Sequence, residues 1–158
     1  MGFLMKTRIL KNSGIAWIGE IPKHWEIKKL KYVLNERKEN NKPIKTDFIL
    51  SLTNEKGVIP YSEKGAQGNI SKDDLSGYKI AYPNDIVLNS MNVVIGSVGL
   101  SKYYGAISPV YYALYEKQGS NIKFYNYIFQ TSIFQNSLKG LGNGILEIRM
   151  RFPMSNLN

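Results

Sequence analysis

Residues 79–117 constrain the fold of this chain more than any other segment. They read KIAYPNDIVLNSMNVVIGSVGLSKYYGAISPVYYALYEK, which is rich in Val, Ile and Tyr and is broken by Gly, Asn or Pro at short intervals. β-Branched and aromatic residues favour strands, and the frequent interruptions keep such strands short. The segment therefore predicts several strands of a twisted, mostly antiparallel sheet.

The rest of the chain predicts short helices and one longer helix, so the predicted fold class is α+β. Apolar residues recur at helical spacing over residues 122–138, and the sequence KGLGNG then ends that helix. A shorter helix is predicted over Lys29–Arg37, after a strand or extended arm at Trp25–Lys28. Residues 47–59 predict two short strands around a turn, and the tail predicts a last strand before Pro153.

Length and hydropathy indicate how the chain is organised. Its 158 residues, 43% of them apolar, suffice for a single core. We therefore expect one domain over residues 1–158, with residues 1–24 as an N-terminal arm. No apolar run approaches the roughly 20 residues that a membrane-spanning helix needs, and the first ten residues lack the pattern of a signal peptide. The expectation is a cytoplasmic protein without membrane contact.

The residue types exclude several classes of enzyme. The sequence has no Cys and a single His, His24, which excludes disulfide scaffolds, cysteine-bearing metal sites and thiol nucleophiles and leaves a serine hydrolase without a suitable base. It contains no P-loop, dinucleotide fingerprint or amino-methyltransferase tetrapeptide. We therefore expect no catalytic residue, metal or cofactor. The remaining enzymatic alternative is a small metal-dependent nuclease built on Asp85 with an acidic-x-Lys pair such as Glu26 and Lys28.

Positive charge is concentrated at the front of the chain. The sequence has 21 Lys and Arg against 12 Asp and Glu, a formal net charge of +9. Residues 1–45 hold eleven of the cations and four of the acids, a net of +7, and residues 46–158 hold ten and eight, a net of +2. This balance favours a polyanionic partner, although most of the charge lies outside the aromatic-rich body.

Three polar segments of the chain, 55–72, 89–104 and 139–151, offer the mixture of side chains that sequence-specific DNA binding needs. Lys and Arg contact phosphates, and Asn, Gln, Ser, Arg and Lys read base edges in the major groove. A solvated turn residue is the alternative interpretation at each position. The predicted DNA-binding residues are Lys56, Lys64, Gln67, Asn69, Lys72, Asn89, Asn92, Lys102, Tyr103, Asn143, Arg149 and Arg151.

The order of several short motifs resembles one known family. The opening WIGEIPKHW is followed by PNDIV at 83–87, by Met91-Asn92, by GSVG at 96–99 and by ISPVY at 107–111. Over nearly the whole chain these motifs resemble a target-recognition domain of the DNA specificity subunit of type I restriction–modification systems. The resemblance implies a domain that reads one half-site of a bipartite target in double-stranded DNA.

The resemblance also implies where the chemistry lies. In that family, methyl transfer from S-adenosylmethionine and cleavage driven by ATP with magnesium belong to partner methyltransferase and restriction subunits. Gly96, Gly99, Ser108 and Pro109 are implied to be structural residues that shape the turns holding the recognition loops. The family's long spacer helix and second recognition domain are missing from this sequence, which suggests a truncated product or an excised fragment. The second hypothesis is therefore a protein-interaction fragment that pairs with other subunits and has little DNA affinity of its own.

Overall fold

The structure is a computed structural model that describes residues 9–65, 74–90, 97–118, 121–139, 143–146 and 149–151, the last two ranges by their backbone alone. In chain order the strands are β1 (Leu10–Asn12), β2 (Glu20–Pro22), β3 (Leu34–Glu36), β4 (Leu50–Thr53), β5 (Gly57–Pro60), β6 (Lys79–Ala81), β7 (Ile86–Asn89), β8 (Val98–Leu100), β9 (Gly105–Ile107), β10 (Tyr111–Glu116), β11 (Asn143–Leu146) and β12 (Arg149–Arg151). The helices are α1 (Leu30–Val33), α2 (Ile122–Gln130) and α3 (Ser132–Leu138), with 3-10 turns at Tyr61–Glu63 and Leu75–Gly77. The predicted α+β class is confirmed.

A four-stranded antiparallel sheet with the order β3-β10-β7-β8 forms the centre of the described structure. The other strands pair in twos, also antiparallel: β1 with β2, β4 with β5, β6 with β9, and β11 with β12. Backbone hydrogen bonds connect the pairs to their neighbours. The Ile80 N–H donates to the Glu39 carbonyl at 2.9 Å, and the Ala106 N–H donates to the Phe48 carbonyl at 2.8 Å. The antiparallel pairing is as predicted, but it is divided among several small sheets.

Alternation along the central strands divides the buried core between the two faces of the sheet. Ile86, Leu88 and Leu114 belong to one apolar cluster, whereas their neighbours Val87 and Ala113 belong to the other. Successive side chains of a strand point to opposite faces, which produces this division. The first cluster also contains Leu34, Val98, Phe129, Phe134 and Leu138, and the second contains Leu50, Leu52, Val58, Ala81 and Ile107. Helices α2 and α3 therefore cover one face, and the β4–β5 and β6–β9 pairs cover the other.

The helix predicted over 29–37 is wrong in extent. It is a single turn, α1, and Leu34–Glu36 instead form the strand β3. Leu34 is buried in the first apolar cluster, and β3 pairs with β10, residues that lie about eighty positions further along the chain. Long-range strand pairing and burial override the local helical pattern here.

The helix predicted over 122–138 is divided in two at Thr131, whose backbone is extended with φ −75° and ψ 138°. The Thr131 hydroxyl donates to the Ile128 carbonyl at 2.8 Å and accepts from the Phe134 N–H at 3.3 Å. A threonine hydroxyl offers the backbone such partners in place of helical ones, so Thr131 ends α2 and caps α3. The apolar spacing continues across this break because both helices pack on the same face of the sheet.

The strand predictions fare better than the helix predictions. The two strands expected around a turn within residues 47–59 are confirmed as β4 and β5, and the tail strand is present as β12. Its partner β11 begins within the glycine-rich sequence that was expected only to stop a helix. Residues 25–28 form no strand, and the early strands are β1 and β2 instead. No helix in the described ranges is long and apolar enough to cross a membrane.

Candidate functional site

A groove of about 510 Å³ opens at β8, the edge strand of the central sheet as described. It lies where the two layers that cover the sheet meet. One wall is the turn between β4 and β5, the other is formed by α2 and α3, and β8 lies between them. The lining residues are Asn54, Glu55, Lys56, Gly57, Val98, Gly99, Leu100, Asn126, Gln130 and Gln135. Because four of them carry side-chain amides, we call it the amide groove.

The β4–β5 turn holds its polar side chains on a closed backbone loop. The Thr53 hydroxyl accepts from the Lys56 N–H at 3.0 Å and donates to the Gly57 carbonyl at 3.3 Å. Gly57 has φ +66°, the left-handed conformation that favours glycine at the end of such a turn. The exposed residues of this turn are Asn54, Glu55 and Lys56, and the hydrogen bonds of Thr53 hold its backbone in place.

Gly99 lets this turn approach the sheet edge closely. A Cβ atom at Gly99 would lie 2.8 Å from the Gly57 Cα and 3.1 Å from the Val58 nitrogen, closer than side chains tolerate. The glycine thus brings the hairpin directly against β8. Gly99 itself lies within the strand β8 and not in a turn.

Helix α2 carries a polar stripe beside its apolar face. Residues three, four and seven positions after Lys123 share one side of the helix with it; they are Asn126, Tyr127 and Gln130. The helix starts at Asn121, whose side-chain oxygen accepts from the Phe124 N–H at 3.2 Å. Of this stripe, the two amides reach the groove.

Hydrogen bonds between neighbouring groups orient the helical amides. Gln130 Nε2 donates to Asn126 Oδ1 at 3.5 Å, one helical turn away. Gln135 Nε2 donates to the Phe129 carbonyl at 3.0 Å, across the break between the helices. These contacts use only part of the hydrogen-bonding capacity of each amide. The remaining donors and acceptors make the helical wall suitable for a ligand that carries both.

The structure brings one predicted DNA-binding residue into the groove. Among the predicted residues whose side chains are described, Lys56 lines the amide groove. Lys64 follows the first 3-10 turn, and Lys102 is exposed in the connection between β8 and β9. The ring centroids of Tyr103 and Phe48 are 5.8 Å apart, and Tyr103 packs against the second apolar cluster. Packing therefore explains the position of Tyr103. Asn89 is half-buried at the end of β7, and its N–H donates to the Ser97 carbonyl.

The other predicted site residues lie in a turn, in strands described by their backbone, or outside the described residues. Ser108 and Pro109 lie in the turn between β9 and β10, where the Tyr111 N–H donates to the Ser108 carbonyl at 3.0 Å. Strands β11 and β12 contain Asn143, Arg149 and Arg151, described by their backbone, with Asn143 opposite Arg151. The predictions that fall outside the described residues are Gln67, Asn69, Lys72, Asn92 and Gly96.

The sequence reasoning missed four amides of the groove: Asn54, Asn126, Gln130 and Gln135. For α2 a signal was available, because Asn126 and Gln130 are four residues apart and therefore share one side of the helix. For Asn54 and Gln135 no local pattern indicates a site. They reach the groove because the hairpin and α3 pack on opposite faces of the same sheet.

A second polar cluster surrounds Asp85, which is only 1% exposed. Arg37 Nε donates to Asp85 Oδ2 at 2.6 Å, Arg37 Nη2 donates to Oδ1 at 2.9 Å, and the Tyr82 N–H donates to Oδ2 at 2.9 Å. The guanidinium also lies 4.2 Å and 4.5 Å from the ring centroids of Tyr82 and Tyr115. The hydrogen bond with Asp85 raises the pKa of Arg37, so the guanidinium remains protonated. This geometry is that of a structural ion pair.

The nuclease alternative required Asp85 as a metal ligand. Both of its carboxylate oxygens are engaged by Arg37, and Glu26 instead pairs with Lys28 at 3.1 Å on the surface. A metal at Asp85 would have to displace the guanidinium. Asp85 is therefore better explained by its ion pair than by catalysis.

No protein-family model matches the chain, and no curated protein is similar enough to count as its relative. A function therefore has to be argued from the chain itself. The features of the chain that bear on function are the amide groove, the charge distribution and the order of the motifs.

Proposed function

We propose that this chain binds double-stranded DNA sequence-specifically and that the amide groove is part of its reading surface. The observation that carries the proposal is the meeting of four amide side chains and Lys56 in one groove. Asn and Gln pair with base edges, and lysine binds phosphate oxygens. The groove thus combines a group for positioning the DNA with groups for distinguishing bases.

The elements that carry these side chains support the proposal. Helix α2 has nine residues and is about 13.5 Å long at about 1.5 Å per residue. A B-form major groove about 12 Å wide admits a helix of this kind. Lys123 lies on the same stripe as the two helical amides and could contact a phosphate beside them. Holding these side chains on a capped helix and a closed turn lowers the entropy cost of binding.

The motif order supports a narrower proposal. On this proposal the chain is a target-recognition domain that reads one half-site for a type I restriction–modification complex in the cytoplasm. Partner methyltransferase and restriction subunits would perform the chemistry with their own S-adenosylmethionine, ATP and magnesium. This chain would contribute sequence choice alone.

Fluorescence anisotropy with labelled randomised duplexes tests the proposal on the full chain. We expect binding, and we expect Lys56→Ala to weaken it by a similar factor for all duplexes, because a phosphate contact carries no sequence information. Glu55→Gln, in the same turn, should bind at least as tightly as the wild type because it removes a carboxylate from the groove. Gln118→Ala, an exposed amide outside the groove, is the matched control and should leave binding unchanged.

Two results would count against this function. Absence of duplex binding even at low salt would overturn it, and co-purification with a methyltransferase subunit would then favour the interaction-fragment hypothesis. Binding that is insensitive to both Lys56→Ala and Glu55→Gln would show that the groove is not the interface.

A further inference from the structure

We infer that Gln130, positioned by Asn126, reads the major-groove edge of an adenine, so that the DNA sequence facing α2 contains an A·T pair at a defined position. The inference rests on the proposed function, since it names the base that the amide groove recognises. It depends on three features: the exposure of Gln130, its contact with Asn126, and the composition of the helical wall.

Gln130 is placed to meet a ligand. It is the last residue of α2, it is exposed, and it lines the groove. One Nε2 hydrogen is directed to Asn126 Oδ1 at 3.5 Å. An amide-to-amide contact at a spacing of four residues restricts the side chain on the helix surface. The second Nε2 hydrogen and the Oε1 lone pairs make no hydrogen bond within the described residues.

An amide with one donor and one acceptor side by side matches adenine. Adenine presents the N7 acceptor and the N6 amino donor in the major groove, so a Gln or Asn side chain pairs with both at once. Guanine presents two acceptors, N7 and O6, and is best matched by the paired donors of Arg or by Lys. Opposite a guanine, the Gln130 oxygen would face another acceptor.

The rest of the helical wall favours the same base. The described lining residues from α2 and α3 are Asn126, Gln130 and Gln135, all amides. Gln135 donates one Nε2 hydrogen to the Phe129 carbonyl, and its Oε1 makes no hydrogen bond within the described residues, so it can accept one. Lys56 lies on the opposite wall, on the β4–β5 turn. The helical wall thus lacks the cationic pair of donors that guanine selects, whereas it can accept from an adenine amino group.

Selection from randomised duplexes first identifies the duplex that the wild-type full chain prefers. Each adenine in turn is then replaced by 7-deazaadenine, which removes only the N7 acceptor. At one position we expect affinity to fall by roughly tenfold, because one of the two hydrogen bonds of a bidentate base contact is lost. Gln130→Ala should lose a similar factor on the unmodified duplex and show no further loss on the modified one. Asn126→Ala should lose less, and Gln118→Ala should behave as the wild type.

The outcomes separate this inference from the proposed function. If Gln130→Ala binds DNA with the base preference of the wild type, the inference is wrong and the proposed function stands. The same holds if the wild type is indifferent to 7-deazaadenine at every position. If the wild type binds no duplex, both are wrong. The deazaadenine series is measured on the wild-type protein, so it does not depend on how a variant folds.

Discussion

At the scale of single residues, Arg37 connects parts of the chain that are far apart in sequence. It follows β3, its N–H donates to the Ala113 carbonyl in β10, and its guanidinium holds Asp85 just before β7. Burial of a carboxylate is costly unless a partner compensates for the lost hydration. Arg37 supplies that compensation with two hydrogen bonds and stacks on Tyr82 and Tyr115 as well.

Removal of the guanidinium should therefore destabilise the fold strongly. We expect Arg37→Ala to lower the free energy of unfolding by about 3 kcal/mol, because it leaves the Asp85 carboxylate buried without its cation. The stability of Arg37→Lys should lie between those of the wild type and Arg37→Ala. Lysine keeps the positive charge but cannot form the paired contact or the planar stacking. Urea denaturation followed by circular dichroism measures both. The adjacent exposed cation provides the control: Lys38→Ala should change stability by less than about 0.5 kcal/mol.

At the scale of elements, the approach of the β4–β5 hairpin to β8 shapes the amide groove. Gly99→Ala would place a methyl group against the backbone of Gly57 and Val58, atoms that cannot rotate away. We expect a loss of about 1–3 kcal/mol of stability, measured by thermal or urea unfolding, as in other overpacked sites. Gly77→Ala is the matched control, because a Cβ there meets nothing within 4 Å, and it should be neutral or slightly stabilising. Equal stability of the two variants would contradict the close approach.

At the scale of the whole molecule, the count of 21 Lys and Arg residues overstates the number of cations that are free to contact DNA phosphates. Three of the cations in residues 1–45 are in ion pairs within the described structure, Lys28 with Glu26, Arg37 with Asp85 and Lys45 with Glu39. In the amide groove Glu55 lies beside Lys56. We therefore expect modest DNA affinity, with only a few phosphate contacts.

The salt dependence of binding measures the number of those contacts. Each contact should weaken binding roughly 3.5-fold when the salt concentration rises fourfold, since the log–log slope is about −0.9 per phosphate. Lys56→Ala should make the slope shallower by about one contact. Anisotropy titrations at several salt concentrations give both slopes. An affinity that does not change with salt would contradict phosphate binding by this chain.

Local patterns predicted the elements better than the site. The alternation in β7 separates Ile86 and Leu88 from Val87, and this local regularity places each side chain on the correct face. Two residues deviate from the predicted helical patterns. Leu34 belongs to a strand because β3 pairs with β10, and Thr131 interrupts the second helix because its hydroxyl caps α3. Local patterns could not predict most of the amide groove either, because its lining residues lie up to about eighty positions apart in the sequence.

The sequence by itself determined the α+β class, the antiparallel strands, the apolar face of the helices and the front-loaded charge, because each depends on residue type and short-range periodicity. Only the tertiary structure decided that the β4–β5 turn, β8 and the helices α2 and α3 meet in one groove, and that Asp85 is held by Arg37. The physical reason is that burial of the two faces of the central sheet brings these distant segments together. No local sequence pattern predicts which solvent-facing side chains then become neighbours.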